Sequence, residues 1–263
     1  MLFGGIDIGS LTAQAVLVND CQISAYCSIP VRPNPLESAG AALGNMLEER
    51  GLRLEDVSYI VSTGYGREKI QSAGIAQENV SEISCHGIGA YTLEPQVRTI
   101  IDIGGQDAKI IRMDDEGVLV DFVMNDKCAA GTGRFLEVMS KILGLSLEEL
   151  GPVSLTSRDR VELSSRCSIY AETEVLHYLQ RGVDKASIAF GVNRSMADRV
   201  MALVRRVGIE KEVVMSGGVA KNVAVRAELE KMMNVRMLMP KVDPQIIGAY
   251  GAAILARRAG GGS

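Results

Sequence analysis

Apolar residues along the 263-residue chain come in short runs of strand character that alternate with stripes of helical spacing. One run, Gly4-Gly5-Ile6-Asp7-Ile8, breaks at Gly9-Ser10, resumes through Val18 and ends at Asn19-Asp20. Another, Thr99-Ile100-Ile101-Asp102-Ile103, breaks at Gly104-Gly105, resumes from Ala108 and ends at Asp114. Each predicts a β-hairpin whose tip carries Asp and Gly. Asp7 and Asp102 stand 95 positions apart, the interval of a domain rather than of a solenoid repeat. A third buried strand, Val213 to Met215, runs into Ser216-Gly217-Gly218 and then a helix. Ile188, Val192, Met196, Val200, Leu203 and Val207 recur every three or four residues, and so do Phe135, Val138, Met139, Ile142 and Leu143. Both stripes predict core-facing helices, the second reaching Leu145. A closing helix is expected from Asp243-Pro244, an acceptor and a proline suited to a helix start, to the cations Arg257-Arg258. Pro30 to Pro35 and Gly151-Pro152 predict loops. Strands alternating with helices give the α/β class, and the repeated hairpin predicts two similar lobes.

Composition narrows the partners. The net charge is -4 and the pI about 5.4, and there are 11 aromatics without Trp, so neither a basic footprint nor a stacking platform for nucleic acid is present. The longest charge-free apolar stretch, Ile246 to Ala256, is too short to span a membrane. No signal-like leader opens the sequence, so a cytoplasmic protein is expected. The closing Gly260-Gly261-Gly262-Ser263 reads as a flexible tail.

A glycine hairpin lets backbone N–H groups approach a phosphate, and a carboxylate beside it can hold Mg2+ directly or through water. One Asp-x-Gly is an ordinary turn. Two in matching strand contexts, facing each other, would clamp a polyphosphate, and Gly217-Gly218 would let a nucleoside lie against backbone. The sequence has neither a P-loop nor a dinucleotide-binding glycine pattern.

Five cysteines occur without a CxxC pair. Cys128 and Cys167 each precede a predicted helix in flanks rich in Gly, Ser and charge, where the helix start and the neighbours Lys127 and Arg166 favour a thiolate. Two thiols per chain cannot complete the shell of a 4Fe-4S cluster, but a two-fold dimer supplies four. Cys21, Cys27 and Cys85-His86 read as structural, and nothing completes a zinc site around His177.

Asp7-Ile8-Gly9-Ser10, Asp102-Ile103-Gly104-Gly105 and Ser216-Gly217-Gly218 resemble the phosphate-1, phosphate-2 and adenosine motifs of the actin, sugar-kinase and heat-shock-chaperone ATPase superfamily. With Thr63-Gly64-Tyr65-Gly66-Arg67, Glu82 to His86, Asn125 to Leu136 and the Cys167 region, the whole chain resembles the ATP-dependent activators of 2-hydroxyacyl-CoA dehydratases, relatives of the ATP-binding subunits of benzoyl-CoA reductase. The resemblance implies two ribonuclease-H-like lobes of the actin-like ATPase fold. Lobe I is expected over 1–93 and lobe II over 94–243, with a closing helix 244–259 returning to lobe I. It implies a homodimer sharing one 4Fe-4S cluster on Cys128 and Cys167, with ATP or ADP and Mg2+ in the cleft. Ser10, Leu11, Thr12, Ala13 and Gln14 would wrap phosphate with Gly104 and Gly105. Gly217, Gly218, Ala220 and Gln245 would hold the rest of the nucleotide, and Asp7, Asp102, Gln106 and Asp107 are the candidate catalytic groups. An electron would arrive from ferredoxin or flavodoxin, and nucleotide-driven lobe closure would pass it to an iron-sulfur dehydratase or reductase acting on a CoA thioester. One departure is Gln14, where the family often has Lys, which leaves phosphate charge to Mg2+, backbone N–H groups and Lys109. A small-molecule kinase of the same fold, with Asp102 or Asp107 as base and no cluster, is the alternative, followed by a non-enzymatic nucleotide or redox sensor.

Overall fold

The computed structural model describes residues 1–164 and 167–261. Its frame is two sheets built to one plan. In the first, β1 (Leu2–Ile8), β2 (Thr12–Asn19) and β3 (Gln22–Pro30) form an antiparallel meander. Helix α1 (Pro35–Glu48) then returns the chain to β4 (Val57–Gly64), which pairs parallel to β1. Helix α2 (Arg67–Ser72) and the short β5 (Glu78–Asn79) complete the order β3-β2-β1-β4-β5. Helix α3 (Glu82–Leu93) leads to the second sheet, where β6 (Thr99–Ile103), β7 (Ala108–Met113) and β8 (Leu119–Asn125) repeat the meander. After α4 (Gly133–Leu143), α5 (Leu147–Leu155), α6 (Ser168–Gln180) and α7 (Lys185–Val207), β9 (Val213–Ser216) pairs parallel to β6 and gives the order β8-β7-β6-β9. Helices α8 (Val223–Met233) and α9 (Ile247–Gly260) close the chain.

The repeat extends beyond the hairpins. Asp7 lies opposite Gln14 in the first sheet, as Asp102 lies opposite Lys109 in the second. Each aspartate has a parallel neighbour that ends in a hydroxyl residue and a glycine with positive φ: Thr63-Gly64 beside Asp7 and Ser216-Gly217 beside Asp102. The predicted helical stripes face the core. In α7, Ile188, Val192, Met196 and Val200 are fully buried against the second sheet, together with Phe135, Met139 and Leu143 of α4. Helix α9 packs its apolar length on the other side, against β1, β4 and α3.

Four boundaries differ from the pattern. Gly151-Pro152 lies within α5 instead of in a loop, because a capping box of Ser146 and Glu149 starts that helix strongly. The amide that Pro152 lacks would have served only the first-turn Glu148 carbonyl, on an exposed residue. Helix α4 stops at Leu143 rather than Leu145, where Gly144 takes the left-handed conformation. Asp243 caps the closing segment as expected, its Oδ1 accepting from Gln245 N at 2.9 Å, but Pro244–Ile246 forms a tighter 3-10 turn before α9 begins. Gly260 belongs to α9, not to a tail, and Gly262 and Ser263 lie outside the described residues.

Asn222 ties the second half together. Its Oδ1 accepts from Ala224 N and Val225 N at the start of α8, and its Nδ2 donates to Asn193 Oδ1 on α7. Asn222→Ala is expected to lower the unfolding free energy by about 2 kcal/mol, a lost cap plus a buried acceptor left unpaired. Urea unfolding should show a lower midpoint at unchanged slope.

Candidate functional site

The two hairpin tips meet across a cleft of about 650 Å3. Each tip is closed by the same bond, Gly9 N–H to Thr12 O and Gly104 N–H to Asp107 O, both 3.0 Å. They nearly touch: a Cβ on Gly105 would stand 2.6 Å from Leu11 Cγ and 2.8 Å from Ser10 Oγ. The cleft is lined by Asp7, Ser10, Leu11, Thr12, Gln14, Asp102, Gly104, Gly105, Asp107, Gly217, Gly218 and Gln245. Three expected residues stand apart. The Ala13 and Ala220 side chains are buried in the apolar cores of the first and second halves, and Gln106 points out at the hairpin tip. The Thr12 hydroxyl gathers the rim, accepting from Gln14 Nε2 at 2.7 Å and from Gln245 Nε2 at 3.0 Å.

The floor of the cleft is a buried charge network. Lys109 Nζ lies 2.9 Å from Glu82, 3.2 Å from Asp102 and 2.8 Å from Asp107. Burial works against its charge, but the three carboxylates outweigh burial and hold its pKa well above the usual lysine range. Lys109 is therefore not a cation available to offset Gln14, since its charge is already matched by carboxylates. The cation at the rim is Lys221, bound to Asp243 and to Gln245 Oε1. Asp107 is held on both oxygens, Oδ1 by Lys109 and Oδ2 by the Tyr65 hydroxyl at 2.7 Å. Burial tends to raise the pKa of Asp102, yet His86, Lys109 and Ser216 together hold it below the usual range.

Asp7 differs. Burial pushes its pKa from 3.8 up to about 7, against an opposing pull from His86. A folded value above the unfolded one means that the folded protein holds the extra proton between about pH 4 and 7, so stability falls as pH rises through that window. Asp7→Asn, a neutral isostere, is expected to match the wild type near pH 4 and to be the more stable of the two near pH 8. Urea unfolding at both pH values checks this.

His86, expected to be structural, lines the cleft. Its Nδ1 lies 3.2 Å from Asp102 Oδ1 and its Nε2 3.8 Å from Asp7 Oδ2. Cys85 beside it is a buried core residue, as expected. Glu82 and His86 share one face of α3 at a spacing of four, the sequence signal that could have revealed both.

Cys128 and Cys167 are both exposed, and each stands at the cap position of a helix, Cys128 before the 3-10 turn Ala129–Gly131 and Cys167 before α6. Asn125 clamps the first: its Oδ1 accepts from Cys128 N at 3.2 Å and its Nδ2 donates to Cys128 O at 2.9 Å. Of the expected basic neighbours, Lys127 pairs with Asp126, and Arg166 lies outside the described residues. Among the described residues, Arg199 of α7, stacked 5.0 Å over Phe135, feels the charge of both sulfurs. Burial lowers its pKa, while Cys128 and Cys167 oppose that shift. The cysteine segment also joins the cleft directly. Gly133 N and Arg134 N, at the start of α4, donate to Gly104 O and Gly105 O, both at 2.8 Å. No cluster of three or more metal-ligating side chains exists among the described residues.

The sequence profile of the BadF/BadG/BcrA/BcrD ATPase family matches residues 5–256. The chain belongs to that family. Within it, the activator of lactoyl-CoA dehydratase from Anaerotignum propionicum is 44% identical over 255 residues, 97% of each chain. Component A of the Acidaminococcus fermentans (R)-2-hydroxyglutaryl-CoA dehydratase superposes with a TM-score of 0.95 at 41% identity, covering all of both chains. The activator of 2-hydroxyisocaproyl-CoA dehydratase from Clostridium difficile, solved with bound ADPNP, gives 0.94 at 40% identity over 99% of this chain and 96% of its own. A ROK family glucokinase from Streptomyces griseus, at 14% identity and a TM-score of 0.59, shares the fold alone. The family's architecture is thus that of the actin-like ATPases and sugar kinases, as the three glycine turns imply.

Proposed function

We propose that this chain is the ATP-hydrolysing activator of a 2-hydroxyacyl-CoA dehydratase or a related low-potential CoA-ester reductase. The observation that carries the reading is the pair of backbone bonds from Gly133 and Arg134 to Gly104 and Gly105, which ties the glycine turn of the cleft to the segment bearing Cys128. A nucleotide seated on that turn cannot shift it without shifting the start of α4. The names of the relatives point the same way, because several activate dehydratases and one binds ADPNP.

In this reading the amides of the two glycine turns hold the phosphates, and Asp7 and Asp102 hold Mg2+ directly or through water. Gly217, Gly218 and Gln245 receive the nucleoside. The proposed division is 1–93 and 94–243, with 244–259 returning to the first part, supported by the packing of α9 on β1 and β4. The donor set suits a 4Fe-4S cluster: two exposed thiols, both at helix caps, with a guanidinium near both sulfurs. Two copies of the chain would supply four thiols, and the bound cluster would contribute one-electron chemistry, with ferredoxin or flavodoxin as donor. Asn125 orients Cys128, and Arg199 offsets thiolate charge.

ATP hydrolysis by anaerobically prepared protein tests the reading. Mg2+-dependent ADP release without an organic acceptor is expected. Release only when a hydroxyl acceptor is added would replace the activator with a kinase.

A further inference from the structure

His86 is 5% exposed and reaches groups from three strands. It rises from the first turns of α3, where α9 passes so close that a Cβ on Gly248 would meet Asp7 Oδ2 at 2.4 Å and His86 Nε2 at 2.7 Å. The ring is thereby seated with Nδ1 3.1 Å from Ser216 Oγ and 3.2 Å from Asp102 Oδ1, and with Nε2 facing Asp7. Counting protons settles which way the ring donates. Ser216 has one hydroxyl hydrogen and gives it to Asp102 Oδ1 at 2.8 Å. Its oxygen is then an acceptor toward the imidazole, as the Asp102 carboxylate is. Nδ1 therefore carries a hydrogen and donates to this pair.

We infer that His86 is a positioning residue for ATP hydrolysis: through Nδ1–H it fixes the Asp102–Ser216 pair of the second sheet, while its opposite edge meets Asp7 of the first. The inference rests on the reading of the cleft as an ATP site. His86 acts through Asp102. Lys109 holds Asp102 Oδ2 at 3.2 Å, whereas Oδ1 has Ser216 and the imidazole. Without the ring, Oδ1 keeps only a hydroxyl that is itself free to rotate, and the spacing of the two aspartates loses its brace. A group that holds a ligating carboxylate in this way is worth roughly 10- to 100-fold in activity.

The test compares wild type, His86→Ala, His86→Asn and His86→Gln by steady-state ATP hydrolysis and, in parallel, by calorimetric titration with ADPNP. The Asn amide nitrogen falls near the place of Nδ1, and the Gln amide nitrogen falls near that of Nε2. His86→Ala is expected to lower kcat roughly 10- to 100-fold while ADPNP affinity changes little. His86→Asn should recover most of the loss and His86→Gln should not. Equal recovery by both, wild-type kcat in His86→Ala, or a parallel fall of kcat and ADPNP affinity in every variant would overturn the inference. Should the alanine variant fail to fold, the Asn and Gln pair decides alone. Wild-type protein that binds no ADPNP would overturn the ATP-site reading and this inference with it. Normal ADPNP binding with unchanged kcat in His86→Ala would overturn the inference only.

Discussion

Lys109→Met is expected to lower the unfolding free energy by about 3–5 kcal/mol at neutral pH, the usual cost of removing one partner from a buried ionic cluster. Glu82, Asp102 and Asp107 all converge on Lys109 Nζ, and water cannot replace it in a site where the lysine is 1% exposed. The three carboxylates would be left facing one another. The folded pKa of Lys109 lies above the free-lysine value of 10.5, so from neutral pH upward its contribution stays complete until that value and declines above it. Adding Glu82→Gln to Lys109→Met should return part of the loss, since one of the stranded charges is then removed. Urea unfolding of the four proteins in that cycle checks both statements. A loss under about 1 kcal/mol for Lys109→Met would mean that the cluster is not a buried ionic unit.

Gly217→Ala is expected to cost about 3 kcal/mol and to lower ADPNP affinity at least roughly ten-fold. Gly217 has φ 82° and ψ 173°, a region open essentially to glycine alone. A Cβ there would also stand 2.3 Å from Ile103 O, a backbone atom that cannot swing aside. Relief requires moving the turn, which carries Gly218 and donates Gly217 N–H to Pro244 O beside Gln245. The nucleoside side of the cleft would move with it. Urea unfolding and calorimetric titration with ADPNP measure the two effects. Unchanged ADPNP affinity in a folded Gly217→Ala protein would remove this turn from the nucleotide site.

Much of this molecule is legible in its sequence because the informative features are local. The strand-turn-strand pattern around Asp7 and Asp102 needs only alternation and a glycine pair, and the stripe from Ile188 to Val207 needs only the helical period. What local pattern does not show are bonds between distant segments. His86 meets Ser216 across 130 residues, and nothing near Cys85-His86 marks that partner. Lys109 looks like a free cation along the chain. Only the register that places it opposite Asp102, and the helix start that brings Glu82, show its charge to be engaged. Gly151-Pro152 has the composition of a loop, but the cap five residues earlier prevails. The match between Thr63-Gly64 and Ser216-Gly217 was present in the letters too. Its meaning emerges once both strands are seen flanking an aspartate.

The central claim is that a nucleotide cleft in each chain works on an iron-sulfur cluster shared by two chains. Iron and acid-labile sulfide, measured per chain on anaerobically prepared protein of known molar mass, test it most directly. The account predicts a dimer with about four irons and four sulfides. Cys128→Ala and Cys167→Ala should each lose them while still binding ADPNP. Wild-type protein that stays free of iron after anaerobic reconstitution, or that keeps its iron when either cysteine is replaced, would contradict it.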